Sequence, residues 1–263
     1  MARVLVVGDV HGEFLLLAER AAAVRAAYGP LDAVLAVGDV EANRDEADAA
    51  GVYSPAKYRK VGDFPFVAAG ELPLGAPLFF IGGNHEPWPA LDAAGPGEWA
   101  PGVRFLGRAG VAEVAGLRVA FLSGIHSARV TDAARPVRES NRDRNYYTAA
   151  ELGRLLAEGP RVPGGVDVLL THDWPAGLLP AASPDERPVG RPELRTLVER
   201  LKPRHHFCGH MHRPLDARIG PTTVTCLSIL RETRSGGRAN SGDALALLER
   251  SPDGALQLTR PAL

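Results

Sequence analysis

Five short segments place side chains that can bind metal ions directly after apolar runs typical of buried β-strands. The side chains are Asp9 and His11 in GDVHG, Asp39 in GDVE, Asn84 and His85 in GGNHE, His172 in THDWP, and His210 and His212 in GHMH. Ligand sites in open α/β sheets collect beyond the carboxyl ends of the strands, so these side chains are expected to converge. Each motif alone is typical of a turn with a solvated polar side chain, but five at equivalent positions indicate one common site.

The donor types favour hydrolytic chemistry at a pair of divalent ions. Oxygen and imidazole donors without cysteine argue against a closed structural zinc site. A shared carboxylate can hold two ions about 3.5–4 Å apart and leave open positions for water and substrate oxygens. Phosphoryl transfer requires charge neutralisation, an activated nucleophile and a proton for the leaving oxygen. The motifs therefore predict hydrolysis of phosphate esters.

Size and composition are those of an ordinary globular protein. The chain has 263 residues, 45% hydrophobic and 23% charged, with a formal net charge of -1, which gives no overall attraction to nucleic acid or anionic membranes. No internal repeat or linker is evident, so one domain over residues 1–263 is expected. Cys208 and Cys226 fit a reducing compartment, with one bridge between them left open. The first apolar run is too short for a signal peptide, and no stretch approaches ~20 apolar residues, so a cytoplasmic protein without membrane contact is expected.

Apolar runs predict strands, and longer segments with an apolar face predict helices. The predicted strands cover residues 3–7, 33–37, 78–81, 103–106, 111–114, 117–122, 166–170, 205–208, 222–227 and 244–248. The predicted helices cover residues 13–28, 149–158 after a capping box at Thr148, and 192–201 with proline at the start. This alternation predicts an α/β or α+β fold with layers around central sheets.

The ordered motifs D-x-H, GD, GNH[ED], H and GHxH resemble those of the calcineurin-like metallophosphoesterase superfamily. The resemblance implies a four-layer αββα sandwich of two mixed β-sheets flanked by helices. It also implies two divalent metal ions, a hydroxide that bridges them and attacks phosphorus, and His85 as general acid or stabiliser of the transferred phosphoryl group. By the same resemblance, Asp9, His11 and His212 hold one ion, Asn84, His172 and His210 hold the other, and Asp39 bridges them. For His85, a packed histidine outside the metal ligands is the alternative.

Within the superfamily, the chain is most similar to the RNA lariat debranching enzymes over roughly residues 3–214. The similar segments are GDxxAxRxEAD at residues 38–48, PxKYR at 55–59, IGGNHE at 81–86, WAP at 99–101, SGI at 123–125 and HDWP at 172–175. Eukaryotic debranching enzymes typically carry cysteine where this chain has Asp9, and an aspartate suits manganese, iron or zinc. No counterpart of their longer C-terminal extension is expected, and residues after 214 match nothing in the family pattern. The protein phosphatase motif GDxxDRG is broken at Ala42.

A polar loop over residues 126–147 occupies the place of the family's lariat-recognition region. It contains Arg129, Arg135, Arg138, Arg142, Arg144 and Tyr146. Arginine can bind phosphates and tyrosine can stack on bases, so Arg142, Arg144 and Tyr146, with His126 at the loop's start and Trp174 in HDWP, are candidate substrate-binding residues. The alternatives are a surface loop whose arginines pair with Asp132, Glu139 and Asp143, and a Trp174 that belongs to the core.

The leading hypothesis is a dinuclear metal-dependent phosphodiesterase that hydrolyses RNA or nucleotide phosphodiester bonds. A phosphomonoesterase or nucleotide pyrophosphatase with the same centre is the enzymatic alternative. From another class, the chain could be a binding module that has kept the fold and lost catalysis. The expected partner is a phosphate-ester substrate, and the sequence predicts no oligomeric state.

Overall fold

A computed structural model describes residues 1–133, 138–179, 189–231 and 241–262. The strands in these ranges are β1 (Ala2–Val7), β2 (Ala33–Ala36), β3 (Leu78–Phe80), β4 (Gly97–Ala100), β5 (Val103–Phe105), β6 (Ala109–Val114), β7 (Leu117–Leu122), β8 (Val168–Thr171), β9 (His205–Cys208), β10 (Leu215–Ile219), β11 (Thr222–Cys226), β12 (Leu245–Arg250) and β13 (Leu256–Thr259). The helices are α1 (Phe14–Tyr28), α2 (Glu46–Gly51), α3 (Phe64–Ala68), α4 (Trp88–Ala94), α5 (Asn141–Arg144), α6 (Ala149–Glu158) and α7 (Pro192–Leu201). Short 3₁₀ turns lie at Ala56–Tyr58, Gly159–Arg161 and Ser241–Ala244.

The strands form two mixed sheets. The first has the order β13-β12-β1-β2-β3-β5-β4, and the second has the order β10-β11-β9-β8-β7-β6. In the first sheet β1, β2, β3 and β5 run parallel, and in the second β7, β8, β9 and β11 run parallel. The outer strands of both sheets pair antiparallel. The carboxyl ends of the parallel strands therefore meet at one edge of each sheet.

Three apolar cores hold the layers together. Between the sheets lie alternate side chains of the central strands, among them Val4, Leu35, Leu170 and Phe207. The outer face of the first sheet packs on α1, α3 and α4 through residues such as Phe14, Phe64 and Trp88. The outer face of the second sheet packs on α6 and α7, chiefly through leucines. Each fully buried leucine or phenylalanine contributes about 1.5–3 kcal/mol of transfer free energy, so burial on both faces fixes the sheet positions.

This architecture confirms the predicted sandwich of two mixed sheets flanked by helices. The bounds of α7 and β9 agree with the sequence analysis, and Thr148 caps α6 with a reciprocal capping box to Glu151. Residues after 214, which the family pattern left unassigned, supply β10 and β11 to the second sheet and β12 and β13 to the first. Strand β12 pairs with β1 over six residues. The C-terminal segment is therefore part of both sheets.

Candidate metal centre

The loops that follow β1 and β2 are joined by backbone hydrogen bonds. The amides of Val10 and His11 both donate to the carbonyl of Asp39, at 3.0 and 2.8 Å, and the amide of Gly12 donates to the carbonyl of Val40 at 3.0 Å. His11 and Asp39 have left-handed backbone, with φ of 48° and 46°. This conformation costs roughly 1–2 kcal/mol for a residue with a Cβ, and such strain concentrates at functional sites. The joined loops present both side chains to one point.

A first group of donors combines both sheets. The donor atoms of Asp9, His11 and His212 lie within 4.8 Å of one another. His212 Nε2 is 2.9 Å from Asp9 Oδ2, and His11 Nε2 is 3.4 Å from His212 Nε2. The amide of His210 also donates to both carboxylate oxygens of Asp9, at 3.2 and 3.0 Å. The loop after β9 is thereby fixed against the loop after β1.

A second group of donors lies beside the first. The donor atoms of Asp39, His172 and His210 also lie within 4.8 Å of one another. Asp39 Oδ2 is 3.3 Å from His172 Nε2 and 3.8 Å from His11 Nε2, so this carboxylate faces both groups. The other ring nitrogen of His172, Nδ1, lies 2.9 Å from the carbonyl of Val37, where it donates. That contact leaves Nε2 directed into the centre.

Two buried polar atoms at the centre lack hydrogen-bond partners among the described residues. They are Asn84 Oδ1 and His172 Nε2, the latter 3.3 Å from Asp39 Oδ2 in an ion-pair contact without hydrogen-bond geometry. A buried polar atom without a hydrogen bond costs about 1–3 kcal/mol of folding free energy, so native proteins contain few of them and they often mark a functional site. His172 Nε2 belongs to the second group, and Asn84 lies between Gly83 and His85, which both adjoin Asp39. The arrangement fits the expectation that cations complete the site.

Electrostatics at the centre favour positive charge. Burial opposes protonation of His11, but the hydrogen bond to Glu41 and the charge of Asp39 outweigh it and raise the pKa of His11 to about 9. Burial likewise opposes protonation of His172, but the charge of Asp39 raises its pKa to about 10. In turn, His172 and His11 overcome the burial of Asp39 and hold the pKa of this carboxyl well below its usual value. In the metal-free protein, protons on histidine therefore balance the buried carboxylate.

Two glycines allow the loops to approach this closely. A Cβ at Gly83 would lie 2.2 Å from Asp39 Oδ1 and 2.6 Å from His172 Nε2. A Cβ at Gly209 would lie 2.1 Å from Asp9 Oδ1. Since real Cβ atoms essentially never approach another atom within 3.0 Å, neither position admits a side chain without displacement of a carboxylate.

Glu86 holds two of the loops together, a role that the sequence analysis missed. The carboxylate is fully buried and accepts from the amides of Val40, Gly83 and Glu41 at 2.8, 3.3 and 3.1 Å. Burial, followed by repulsion from Asp39, raises the pKa of Glu86 to about 8. The available signal was the acidic residue that ends GGNHE.

His85 lies at the open side of the centre. Its amide donates to Asp39 Oδ1 at 2.6 Å, and its ring centroid is 5.3 Å from that of His11. The side chain is 34% exposed, whereas the side chain of His172 is fully buried. His85 can therefore meet a bound molecule while its backbone is tied to Asp39.

The arginines of the 126–147 loop divide into two kinds. Arg129 pairs with Asp143 at 2.7 Å, Arg138 with Glu151 at 2.6 Å, and Arg144 with Asp92 at 2.6 Å. For these three, the alternative of a surface loop with ion pairs describes the structure, although the partners of Arg138 and Arg144 are not those expected. Arg135 lies outside the described residues.

Arg142 has a different setting. Its Nε donates to the hydroxyl of Tyr146 at 3.3 Å, and its guanidinium lies 6.0 Å from the ring centre of Tyr53. Tyr53 is 46% exposed, and the sequence analysis missed it. Tyr146 forms a parallel bridge with Ile125, and the amide of the preceding Gly124 donates to the carbonyl of Gly82 at 2.7 Å. The backbone of Tyr146 is thereby connected through Ile125 and Gly124 to the start of the GGNHE loop.

His126 and Trp174 do not behave as free substrate contacts. His126 Nε2 lies 3.3 Å from Asp132 and 3.4 Å from Glu193, between two carboxylates. Trp174 is 1% exposed, and its indole N–H donates to the carbonyl of Gly209 at 2.7 Å. For Trp174, the core alternative describes this structure, because no face of the ring is open. Trp174 instead supports the loop that carries His210.

Comparison with known proteins identifies the family. The model of the calcineurin-like phosphoesterase family matches residues 2–214. The chain belongs to the calcineurin-like phosphoesterase family. Members of this family hydrolyse phosphoester bonds with divalent metals, and the family is the one that the sequence motifs resemble. The two donor groups at the strand ends are the features of this chain that match such chemistry.

Known relatives of this calcineurin-like phosphoesterase include lariat debranching enzymes. The chain is 32% identical to that of Homo sapiens over 229 residues, covering 80% of this chain and 42% of the relative. It is 31% identical to that of Schizosaccharomyces pombe over 237 residues, covering 82% and 49%. The chain thus spans about half the length of the curated relatives it matches. The predicted resemblance to debranching enzymes is confirmed.

Solved structures share the fold. The protein TT1561 of Thermus thermophilus matches with a TM-score of 0.56 at 15% identity, with 98% of both chains covered. GAP50 of Plasmodium matches with a TM-score of 0.54 at 14% identity, with 98% of this chain and 83% of that chain covered. At these identities the likeness extends to the fold alone. In the described ranges, every helix is too short or too polar to cross a membrane.

Proposed function

We propose that this calcineurin-like phosphoesterase is a dinuclear phosphodiesterase that hydrolyses RNA or nucleotide phosphodiester bonds. The observation that carries the proposal is the position of Asp39, which faces one donor group through His11 and the other through His172. A carboxylate between two groups is the arrangement that a pair of cations requires. The lariat debranching relatives favour a phosphodiester in RNA as the substrate.

The proposed ligands follow from the two groups. Asp9, His11 and His212 would hold one ion, His172, His210 and Asn84 would hold the other, and Asp39 would contact both. Mixed carboxylate, amide and imidazole donors suit manganese, iron or zinc. When bound, two such ions would lower the pKa of a water molecule and neutralise charge on the phosphoryl oxygens.

His85 is proposed as the general acid. Its amide bond to Asp39 fixes the backbone, and its partly exposed ring can reach the leaving oxygen of a bound ester. A positioned acid of this kind typically contributes about 10²–10⁴-fold to the rate. The proton would pass from a ring nitrogen of His85 to the oxygen that departs from phosphorus.

The cluster of Tyr53, Arg142 and Tyr146 is proposed to bind the nucleic acid beside the scissile bond. Two tyrosines and an arginine offer faces for unstacked bases and a charge for phosphate, as in single-strand recognition. Arg144 is engaged by Asp92 and His126 by two carboxylates, so their contribution to substrate binding is proposed as secondary.

The proposal is tested by substrate choice in metal-reconstituted protein. We expect kcat/KM for bis(4-nitrophenyl) phosphate to exceed that for 4-nitrophenyl phosphate in the presence of manganese, iron or zinc, with activity lost in chelator. When 2′-5′, 3′-5′ and cyclic phosphodiesters are compared, we expect hydrolysis of at least one of the linkages that join ribonucleotides, 2′-5′ or 3′-5′. Preference for the monoester would favour the phosphomonoesterase alternative. No metal-stimulated turnover on any ester would favour a binding module.

A further inference from the structure

Glu41 lies inside the candidate centre, although it belongs to neither donor group. Its Oε1 is 2.8 Å from Nδ1 of His11, and the residue is 6% exposed. Its backbone is left-handed, with φ of 50°, and its amide donates to the buried carboxylate of Glu86 at 3.1 Å. A strained, buried acidic residue with its backbone anchored in this way is held toward His11.

The contact determines which nitrogen of His11 is free. A carboxylate oxygen at hydrogen-bond distance accepts from Nδ1–H, so Nδ1 carries a proton. Nε2 is the nitrogen that faces the cation site, 3.8 Å from Asp39 Oδ2 and 3.4 Å from His212 Nε2. In a neutral imidazole with a proton on Nδ1, the lone pair lies on Nε2. The acceptor at Glu41 therefore selects the tautomer that can bind a cation.

The orientation of the ring follows from the same contact. His11 itself has a left-handed backbone and sits on a loop whose amides donate to Asp39 and Val40, so its Cα position is set by the main chain. The rotation of the ring is not set by these bonds. The hydrogen bond from Nδ1 to Glu41 fixes it and turns Nε2 toward Asp9 and His212.

We infer that Glu41 is a positioning residue for the first metal site: through its hydrogen bond to Nδ1 it fixes the tautomer and ring rotation of His11 so that Nε2 binds a divalent cation. This inference rests on the proposed function, because it requires His11 to be a ligand. When a carboxylate hydrogen-bonds to a metal-bound histidine and orients it, loss of that carboxylate typically lowers the metal affinity by about 10–100-fold.

The test compares two substitutions by calorimetric titration of the metal-free protein with Zn²⁺ and Mn²⁺. Glu41→Gln keeps an acceptor oxygen at the same reach, so it should retain most of the affinity. Glu41→Asn tolerates a left-handed backbone, but its shorter side chain cannot reach His11. We expect Glu41→Asn to lower the cation affinity of one of the two binding events by about 10–100-fold and to leave the affinity of the other unchanged. Glu13→Gln is the matched control, because Glu13 adjoins the same loop but pairs with Lys60.

A double-substitution cycle separates positioning from general stabilisation. In a His11→Ala background, Glu41→Asn should have no further effect on affinity, because the histidine that it orients is gone. An additional loss in that background, or wild-type affinity in Glu41→Asn, would overturn the inference. So would a Glu41→Asn protein that fails to fold while Glu41→Gln folds, since Glu41 would then be a structural residue. If the wild-type protein takes up no cation at all, the proposed function fails first, and titration of the wild type alone reveals this.

Discussion

Replacement of Gly83 by alanine should dismantle the metal centre without a change in charge or in any donor. The new methyl would lie 2.2 Å from Asp39 Oδ1, 2.5 Å from the Asp39 amide nitrogen and 2.6 Å from His172 Nε2. To restore even the 3.0 Å that real Cβ atoms respect, Asp39 Oδ1 must move by 3.0 minus 2.2, or 0.8 Å. Gly83 does not have a left-handed φ, so the conflict arises from these contacts and not from the backbone.

A displacement of this size exceeds what metal coordination tolerates. Ligand distances hold to within about 0.2 Å, and a misplacement of about 1 Å can cost roughly 100-fold in rate. We therefore expect Gly83→Ala to bind at most one ion per chain and to lose at least about 100-fold in kcat/KM. Asp39 and His172 are buried, so a lower melting temperature is also expected.

The assay is metal content after dialysis, by mass spectrometry, together with kcat/KM on bis(4-nitrophenyl) phosphate and a thermal melt. Gly153→Ala is the matched control, since Gly153 lies within α6 and a Cβ there meets nothing within 4 Å. It should leave metal content and activity unchanged and stabilise the helix by about 0.5–1 kcal/mol. Two ions and wild-type activity in Gly83→Ala would refute the proposed role of Asp39 and His172.

Four further predictions address the general acid, the protons on the histidines and the nucleic-acid surface. His85→Ala should lower kcat by about 10²–10⁴-fold with two ions still bound, and an unchanged kcat would remove the acid role. The pKa values of His11 and His172 are raised to about 9 and about 10, so cations must displace protons from these rings. Metal affinity should therefore rise as the pH is raised from 6.5 to 9, and an affinity that does not change with pH would contradict this. By the same linkage, the metal-free fold is stabilised most below pH 6.5 and loses this stabilisation as pH rises through about 9 to about 10, so its melting temperature should fall across this range. Arg142→Ala should lower the rate of oligonucleotide cleavage more than the rate of aryl phosphate cleavage, because Arg142 belongs to the proposed nucleic-acid surface. Arg144→Ala breaks the ion pair with Asp92 and should mainly lower the melting temperature. Equal losses of rate on both substrates in Arg142→Ala would argue against a recognition surface.

The elements that the sequence predicted well are those with strong local signals. Strand β7 is apolar except for Arg118, and α7 begins with proline and carries leucines at helical spacing. Helices α2 to α5 were missed because they have four to seven residues each and become helical through packing and caps, such as Asp45 for α2 and Ser140 for α5. Strands β4, β10 and β13 were missed for a related reason: they lie at sheet edges, where burial and periodicity are weak.

The same division holds for the candidate site. Donors that follow strands could be predicted because topology brings the carboxyl ends of parallel strands together. Glu41, Glu86 and Tyr53 could not be assigned, because their roles depend on contacts with residues far away in the sequence or on exposure. For Trp174 the sequence left a substrate contact and the core both open, because its motif lies beside His172 but the direction of its side chain, into the core, is decided by packing.

The central claim is that donors from five strand ends form two cation sites that share Asp39. Anomalous diffraction from a crystal soaked in manganese measures this directly. The account predicts two peaks, one among Asp9, His11 and His212 and one among Asn84, His172 and His210, with Asp39 in contact with both. A single peak away from Asp39, or no peak at these side chains at saturating manganese, would contradict it.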